Sequence, residues 1–277
     1  MKRFIQNAWG SRVTPQNKTI EGMGQAPVEV LNSAAAGPFL LVCEHASRHI
    51  PPQFGDLGLS DAARESHIAW DPGALAVARH LSELLASPLV AGTVSRLIYD
   101  CNRPPSAAGA MPLKSEDTEI PGNQNLTNQQ RQHRVEQIYL PFTEKLTEAI
   151  STAAQSPVLV TIHSFTKTFL GVDRAVEVGI LHDTDRRLAD AMLALAPEHS
   201  DLRILRNEPY GPQDGVTYTL QRHGLSNGLM NVMIEVRNDL IADDTAQKET
   251  ATMLAGLIKA ALAQTGTSAR TAGEGQC

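Results

Sequence analysis

Two histidines and one strand-borne glutamate are the residues of this chain best suited to chemistry. His45, in Cys43-Glu44-His45, and His163, in Ile162-His163-Ser164, each follow a short run of β-favouring residues, and Glu235 sits among Met233, Ile234 and Val236. Taken singly, either histidine reads as a hydrogen-bonded loop residue; their shared placement favours a site. A carboxylate in the apolar company of Glu235 is costly to bury unless it has a partner or a task. Two imidazoles and a carboxylate make the donor set of a catalytic zinc site, which takes three protein ligands and keeps a fourth position for water. Asp71 and Glu44 are the candidates for that carboxylate. Asp71 ahead of Pro72 is equally explained as a helix N-cap, and Glu44 equally as a group that fixes a histidine tautomer from behind. No HExxH motif occurs, so a zinc protease site on a single helix is excluded.

A cation for an acidic substrate is available in the segment from Ser95 to Pro105, where Asn102 and Arg103 stand just ahead of two prolines. An arginine fork there can hold a carboxylate through two parallel bonds. The alternative is a turn in which Arg103 only pairs with Asp100. Arg237, His67 and His223 are weaker candidates. Arg237 is a further possible substrate contact or a partner for Glu235 or Asp239, and His67 a supporting group near the metal or a histidine satisfied in the core.

Buried strands are expected at residues 39–43, 89–94, 158–162, 176–181 and 232–236, each a β-rich run bounded by turn residues. Helices are expected between them. Asp71-Pro72 opens one whose apolar face is Leu75, Val77, Ala78, Leu81, Leu84 and Leu85; a second runs over 127–154 with a kink at Pro141; a third is capped by Asp183 or Asp185 and reaches Ala196; a fourth covers 245–263. Alternating strands and helices imply a single α/β domain, a three-layer sandwich around a mainly parallel, mixed sheet. In such sheets ligands bind beyond the carboxyl ends of the strands, which is where both histidines fall. The domain is expected over 38–264, with an extended leader at 1–37 and a flexible tail at 265–277.

With 24 Lys and Arg against 30 Asp and Glu, the net charge is −6, so no global positive field draws this chain to nucleic acid or anionic lipid. Aromatic residues make up only 4% of the sequence, which disfavours a base-stacking platform. No apolar run approaches the length of a membrane span, and Met1-Lys2-Arg3 leads into polar residues rather than a secretory signal core. Cys43, Cys101 and Cys277 are too few and too scattered for a disulfide framework, so a cytoplasmic setting is expected. The expected partner is a small molecule; oligomeric state is not legible.

Seven segments in order carry a family resemblance: CEHAS at 43–47, HIAWD at 67–71, YDCNRP at 99–104, IHSF at 162–165, NEPY at 207–210, DGVTYT at 214–219 and IEVRNDLI at 234–241. Together they resemble the N-formylglutamate amidohydrolase family over about residues 39–262. The resemblance implies a zinc-peptidase-like α/β fold, related to metallocarboxypeptidases and aspartoacylases, and removal of the formyl group from an N-formyl amino acid. It further implies zinc as cofactor, Asn102 and Arg103 as receivers of the substrate carboxylate, and Glu235 as base. One departure is informative: the HxxE ligand pair of carboxypeptidases would need Glu at position 48, which is Arg48. The expected metal ligands are therefore His45, Asp71 and His163. The same machinery would serve another N-acyl amino acid or a peptide C-terminus, and a metal-free carboxylate-binding protein is the reading from a different class.

Overall fold

The computed structural model describes residues 23–273, so Cys277 and residues 1–22 of the expected leader lie outside the described residues. The main elements are β1 (Val28–Leu31), β2 (Phe39–Cys43), α1 (Ala74–Leu84), β3 (Leu89–Gly92), α2 (Asn128–Arg134), α3 (Leu140–Thr152), β4 (Val158–Phe165), β5 (Val178–Leu181), α4 (Arg187–His199), β6 (Ile204–Arg206), β7 (Asn231–Arg237) and α5 (Asp244–Gly273). The sheet has seven strands in the order β1-β3-β2-β4-β7-β5-β6. It is mainly parallel; only the β1–β3 and β7–β5 pairs run antiparallel.

Side-chain alternation along these strands divides the interior into two cores. Phe39, Leu41 and Cys43 of β2 face one way with Val160, Ile162, Val232 and Ile234, and pack against α1, α4 and α5 through Leu81, Met192, Leu254 and Ile258. Leu40, Val42, Leu159 and Met233 face the other way and meet Tyr99, Ile138 and Phe142. Each large side chain taken from water contributes roughly 1.5–3 kcal/mol, so a sheet covered on both faces is the arrangement these near-continuous apolar strands require. No helix among the described residues is long and apolar enough to cross a membrane.

Several boundaries differ from expectation in ways that bear on the site. The leader was expected to run to residue 37, but Val28–Leu31 is an edge strand that pairs with β3. The tail was expected from residue 265, but α5 continues to Gly273. Strand β4 does not stop at Ile162: parallel pairing with β7 extends to Phe165 opposite Arg237, so His163 lies within the strand. The helix over 127–154 is interrupted by a π-turn at Val135–Tyr139, where the Leu140 N–H bonds back to the Val135 carbonyl. That wider turn sits just where Pro141 lacks the N–H an α-helix would use. Helix α4 begins at Arg187, whose N–H is accepted by Asp185, while Asp183 turns away toward Thr217 and Gln221.

Asp71 is not the cap of α1. The helix starts from Gly73 at φ +81°, a left-handed conformation in which a Cβ would also crowd the Ile241 carbonyl at 2.6 Å. Only the Asp71 backbone carbonyl serves the helix, accepting the Ala74 N–H at 3.2 Å, so its carboxylate is free to point elsewhere. The Asp71 N–H donates to the His45 carbonyl at 2.9 Å, which ties this turn to the one after β2. On the other side Gly92 packs so closely on the Glu44 carbonyl oxygen that a Cβ there would strike it.

Candidate active site

Strands β2, β4 and β7 run parallel, so their carboxyl ends lie along one edge of the sheet. His45 stands two residues past β2, and His163 and Glu235 are register partners on β4 and β7 with side chains on the same face. Asp71 arrives from the turn before α1. These elements bring together His45 Nδ1, His163 Nδ1 and Asp71 Oδ2: the two nitrogens are 3.2 Å apart, and the oxygen is 3.3 Å from His45 and 2.9 Å from His163. All three residues are buried.

The far side of each imidazole rests on another carboxylate. His45 Nε2 donates to Asp100 Oδ1 at 2.6 Å, and His163 Nε2 is 3.1 Å from Glu44 Oε2, an ion-pair contact whose angle is poor for a hydrogen bond. A carboxylate only accepts, so these partners draw the ring proton to Nε2 and leave the Nδ1 lone pairs facing the Asp71 oxygen. Three acceptors aimed at one point repel unless something lies between them: ring protons, which the raised pKa values of His163 and His45 favour when no ion is bound, or a metal cation. Their separations are close to the edge of about 3.3 Å expected for ligands held tetrahedrally at about 2.0–2.1 Å from zinc. The donor set therefore fits a zinc ion.

Arg96 braces the cluster, donating to Asp71 Oδ1 and Asp100 Oδ2, both at 3.1 Å. The Ser164 N–H adds a bond of 3.3 Å to Asp71. Burial alone would raise the pKa of Asp71, but His45, His163 and Arg96 hold it well below the usual range; Asp100 is held low against burial by His45 and Arg96. Burial alone would lower the pKa of His163, yet Glu44 and Asp71 drive it well up. Glu235 behaves oppositely: it is 5% exposed, its carboxylate has no hydrogen bond or ion pair among the described residues, and burial pushes its pKa up to about 7.

The cluster borders, through Asp71, Arg96 and Asp100, a cleft of about 340 Å³ whose lining also includes Arg103, Phe165 and Tyr210, while His45, His163 and Glu235 lie behind that lining. Arg103 lines it with one guanidinium nitrogen donating to the Asp214 carbonyl at 2.7 Å and another 3.9 Å from Asp100. Asn102, expected to offer its amide to substrate, is instead a loop tie. Its Oδ1 accepts the Thr219 N–H at 2.9 Å and its Nδ2 donates to the Val216 carbonyl, so both ends of the amide are tied to backbone. Arg237 does not line the cleft; it bonds Asp239 at 2.7 Å and Glu177 at 3.3 Å. His67 lines the outer wall paired with Glu116 at 2.8 Å, away from the triad. Arg48 stacks on Trp70, 5.5 Å from the ring centre. His223 is buried within reach of the Glu44 charge, its pKa pushed down to about 4 by burial and Arg222 against the opposing effect of Glu44. The role of Asp100 behind His45 was missed in the sequence, where its neighbour Arg103 was the evident partner.

A mixed, mainly parallel sheet covered by helices on both faces, with two histidines and an aspartate gathered at its carboxyl edge, defines the class: an α/β protein with a candidate metal site beyond its parallel strands. The chain belongs to the N-formylglutamate amidohydrolase family, whose sequence profile matches residues 37–242. A gene product of Agrobacterium tumefaciens of known structure is 54% identical, with a TM-score of 0.84 over 86% of this chain and 96% of that one. An N-formylglutamate amidohydrolase from Ralstonia eutropha is 21% identical and shares the fold, with a TM-score of 0.59 over 84% of this chain and 97% of that one. Among curated proteins, none matches the chain.

Two outcomes follow from this geometry. Asp100→Asn should keep the fold but weaken zinc binding about 10–100-fold, the usual cost of losing a carboxylate behind a ligating histidine. Competition with a chromophoric chelator measures this, and unchanged affinity would remove Asp100 from that role. For His223 the folded pKa lies below the ordinary value near 6.5, so between about pH 6.5 and 4 the unfolded chain takes up a proton that the folded chain refuses. Stability from this group is complete above that window and falls on acidification by on the order of 3 kcal/mol. His223→Gln should flatten that part of the pH dependence of the urea midpoint; identical slopes in both proteins would contradict it.

Proposed function

We propose that this protein is a zinc-dependent amidohydrolase that cleaves the formyl amide of an N-formyl amino acid, N-formylglutamate being the first choice, to formate and the free amino acid. The observation that carries the proposal is the convergence of His45 Nδ1, His163 Nδ1 and Asp71 Oδ2, each histidine backed by its own carboxylate. Family membership supplies the reaction class. A bound zinc ion would polarise the formyl carbonyl and lower the pKa of water at the site.

The chain's own residues supply the rest. Glu235, beside His163 and near neutrality in pKa, accepts the proton of the attacking water at its carboxylate and returns it to the departing nitrogen as the C–N bond breaks. The hydroxyl stays on the formyl carbon, which leaves as formate. Arg103, fixed by the Asp214 carbonyl, presents the rest of its fork to the cleft as receiver of the α-carboxylate. Orienting the amide in this way converts binding into rate. Arg96 remains locked between Asp71 and Asp100 and keeps the cluster rigid. The free, buried Cys43 and Cys101 accord with the reducing cytoplasm proposed as its setting.

A panel of N-formyl, N-acetyl and N-succinyl amino acids assayed with added zinc tests the reading. N-formylglutamate should turn over fastest and lose activity on chelation, with recovery on zinc addition. Glu235→Gln should bind zinc normally and lose roughly 10²–10⁴ in kcat. Preference for the acetyl or succinyl compound would move the acyl specificity, and zinc-independent binding without turnover would favour a carboxylate-binding protein.

A further inference from the structure

Each cation lining the cleft already has an acid. His67 pairs with Glu116 at 2.8 Å, Arg96 with Asp71 and Asp100 at 3.1 Å, Arg103 with Asp100 at 3.9 Å and Lys114 with Asp117 at 3.9 Å. Arg174, which stands outside that lining but against three of its aromatic side chains, is different. It follows a two-strand hairpin, Thr168–Phe169 with Val172–Asp173, and its N–H closes that hairpin on the Lys167 carbonyl at 2.8 Å. Its guanidinium lies against three aromatic rings, 4.5 Å from the centre of Phe169, 4.9 Å from Tyr210 and 5.6 Å from Phe165. It donates to the Tyr210 hydroxyl at 2.8 Å and to the Thr166 carbonyl at 3.3 Å, and has no acidic partner among the described residues.

Phe165, Thr166, Phe169 and Tyr210 all line the catalytic cleft. Two of the five guanidinium N–H groups are used, so the fork retains donors while the rings hold its plane. Phe165 is two residues beyond His163 on the same face of β4, about 7 Å along the strand. A half-buried arginine packed on the aromatic wall of the cleft, 5.6 Å from the Phe165 ring, and lacking a counter-ion among the described residues is suited to a carboxylate carried by the ligand. Arg103 serves the α-carboxylate, so a second cation is left for a second acid.

Resting on the proposed hydrolase reading, we infer that Arg174, held by Phe165, Phe169 and Tyr210, receives the side-chain carboxylate of a dicarboxylic substrate and sets the preference for acidic over neutral amino acids. Calorimetry with the zinc-supplemented full-length protein tests this using L-glutamate and L-glutamine, which differ only in the group Arg174 would read. The wild type should bind glutamate at least tenfold more tightly. Arg174→Met should bring the two within about twofold while leaving glutamine affinity essentially unchanged, and Arg174→Lys, which keeps charge without the fork, should fall between. Equal or absent binding of the two amino acids by the wild type overturns the inference. So does a retained preference in Arg174→Met, or a loss that affects both ligands alike, as a purely structural role would give. The hydrolase reading fails separately: a protein that prefers glutamate through Arg174 but releases no formate from N-formylglutamate keeps the receptor and loses the reaction.

Discussion

Charges kept from water must be matched, and around His45 and His163 that requirement organises much of this protein. Glu44, Asp71 and Asp100 are all buried, and each is set against an imidazole; Asp71 and Asp100 are further joined by Arg96. Removing any one partner would leave an uncompensated charge in the interior, a cost of several kcal/mol. Carboxylates behind both rings direct the front nitrogens at Asp71, and the resulting cluster of lone pairs is complete only with protons or a metal dication. Uptake of a zinc ion there would displace those protons, so metal binding and proton release would be two sides of one balance.

The fold supplies this balance through parallel strands. Because β2, β4 and β7 share a direction, groups 118 residues apart, His45 and His163, meet without any local motif. Pairing register then places Glu235 directly beside His163, where burial keeps its carboxyl near neutrality while Asp71 nearby stays ionised. Two carboxylates with opposed shifts in one site match the division between a proton acceptor and a ligand. Gly73 and Gly92 matter because they let the turns bearing Asp71 and Glu44 approach their neighbours closely.

Much of the architecture was legible in the sequence because apolar strands and amphipathic helices announce themselves by period. His45, His163 and Glu235 stood out for the same reason, as polar residues at the ends or interior of such runs. Asp71 was ambiguous: the pattern Asp-Pro fits a cap, and only Gly73 taking over the helix start shows its carboxylate to be free. The role of Asp100 was hidden because its principal partner, His45, is 55 residues away, whereas Arg103 is close in sequence. Asn102 misled for the converse reason, its amide being spent on backbone more than 110 residues downstream. β1 escaped notice as a short, half-exposed edge strand. Arg174 belongs to none of the recognisable segments, and the only hint was the aromatic residues Phe165, Phe169 and Tyr210 that converge on it in three dimensions.

The central claim is that two imidazole nitrogens and a carboxylate oxygen hold the metal. Zinc K-edge X-ray absorption on the zinc-loaded protein reads this shell directly. The account predicts nitrogen and oxygen scatterers only, at about 2.0–2.1 Å, with the outer-shell pattern of two imidazoles. A sulfur shell at about 2.3 Å, which would bring in a cysteine such as Cys43, or an all-oxygen spectrum without imidazole, would contradict it.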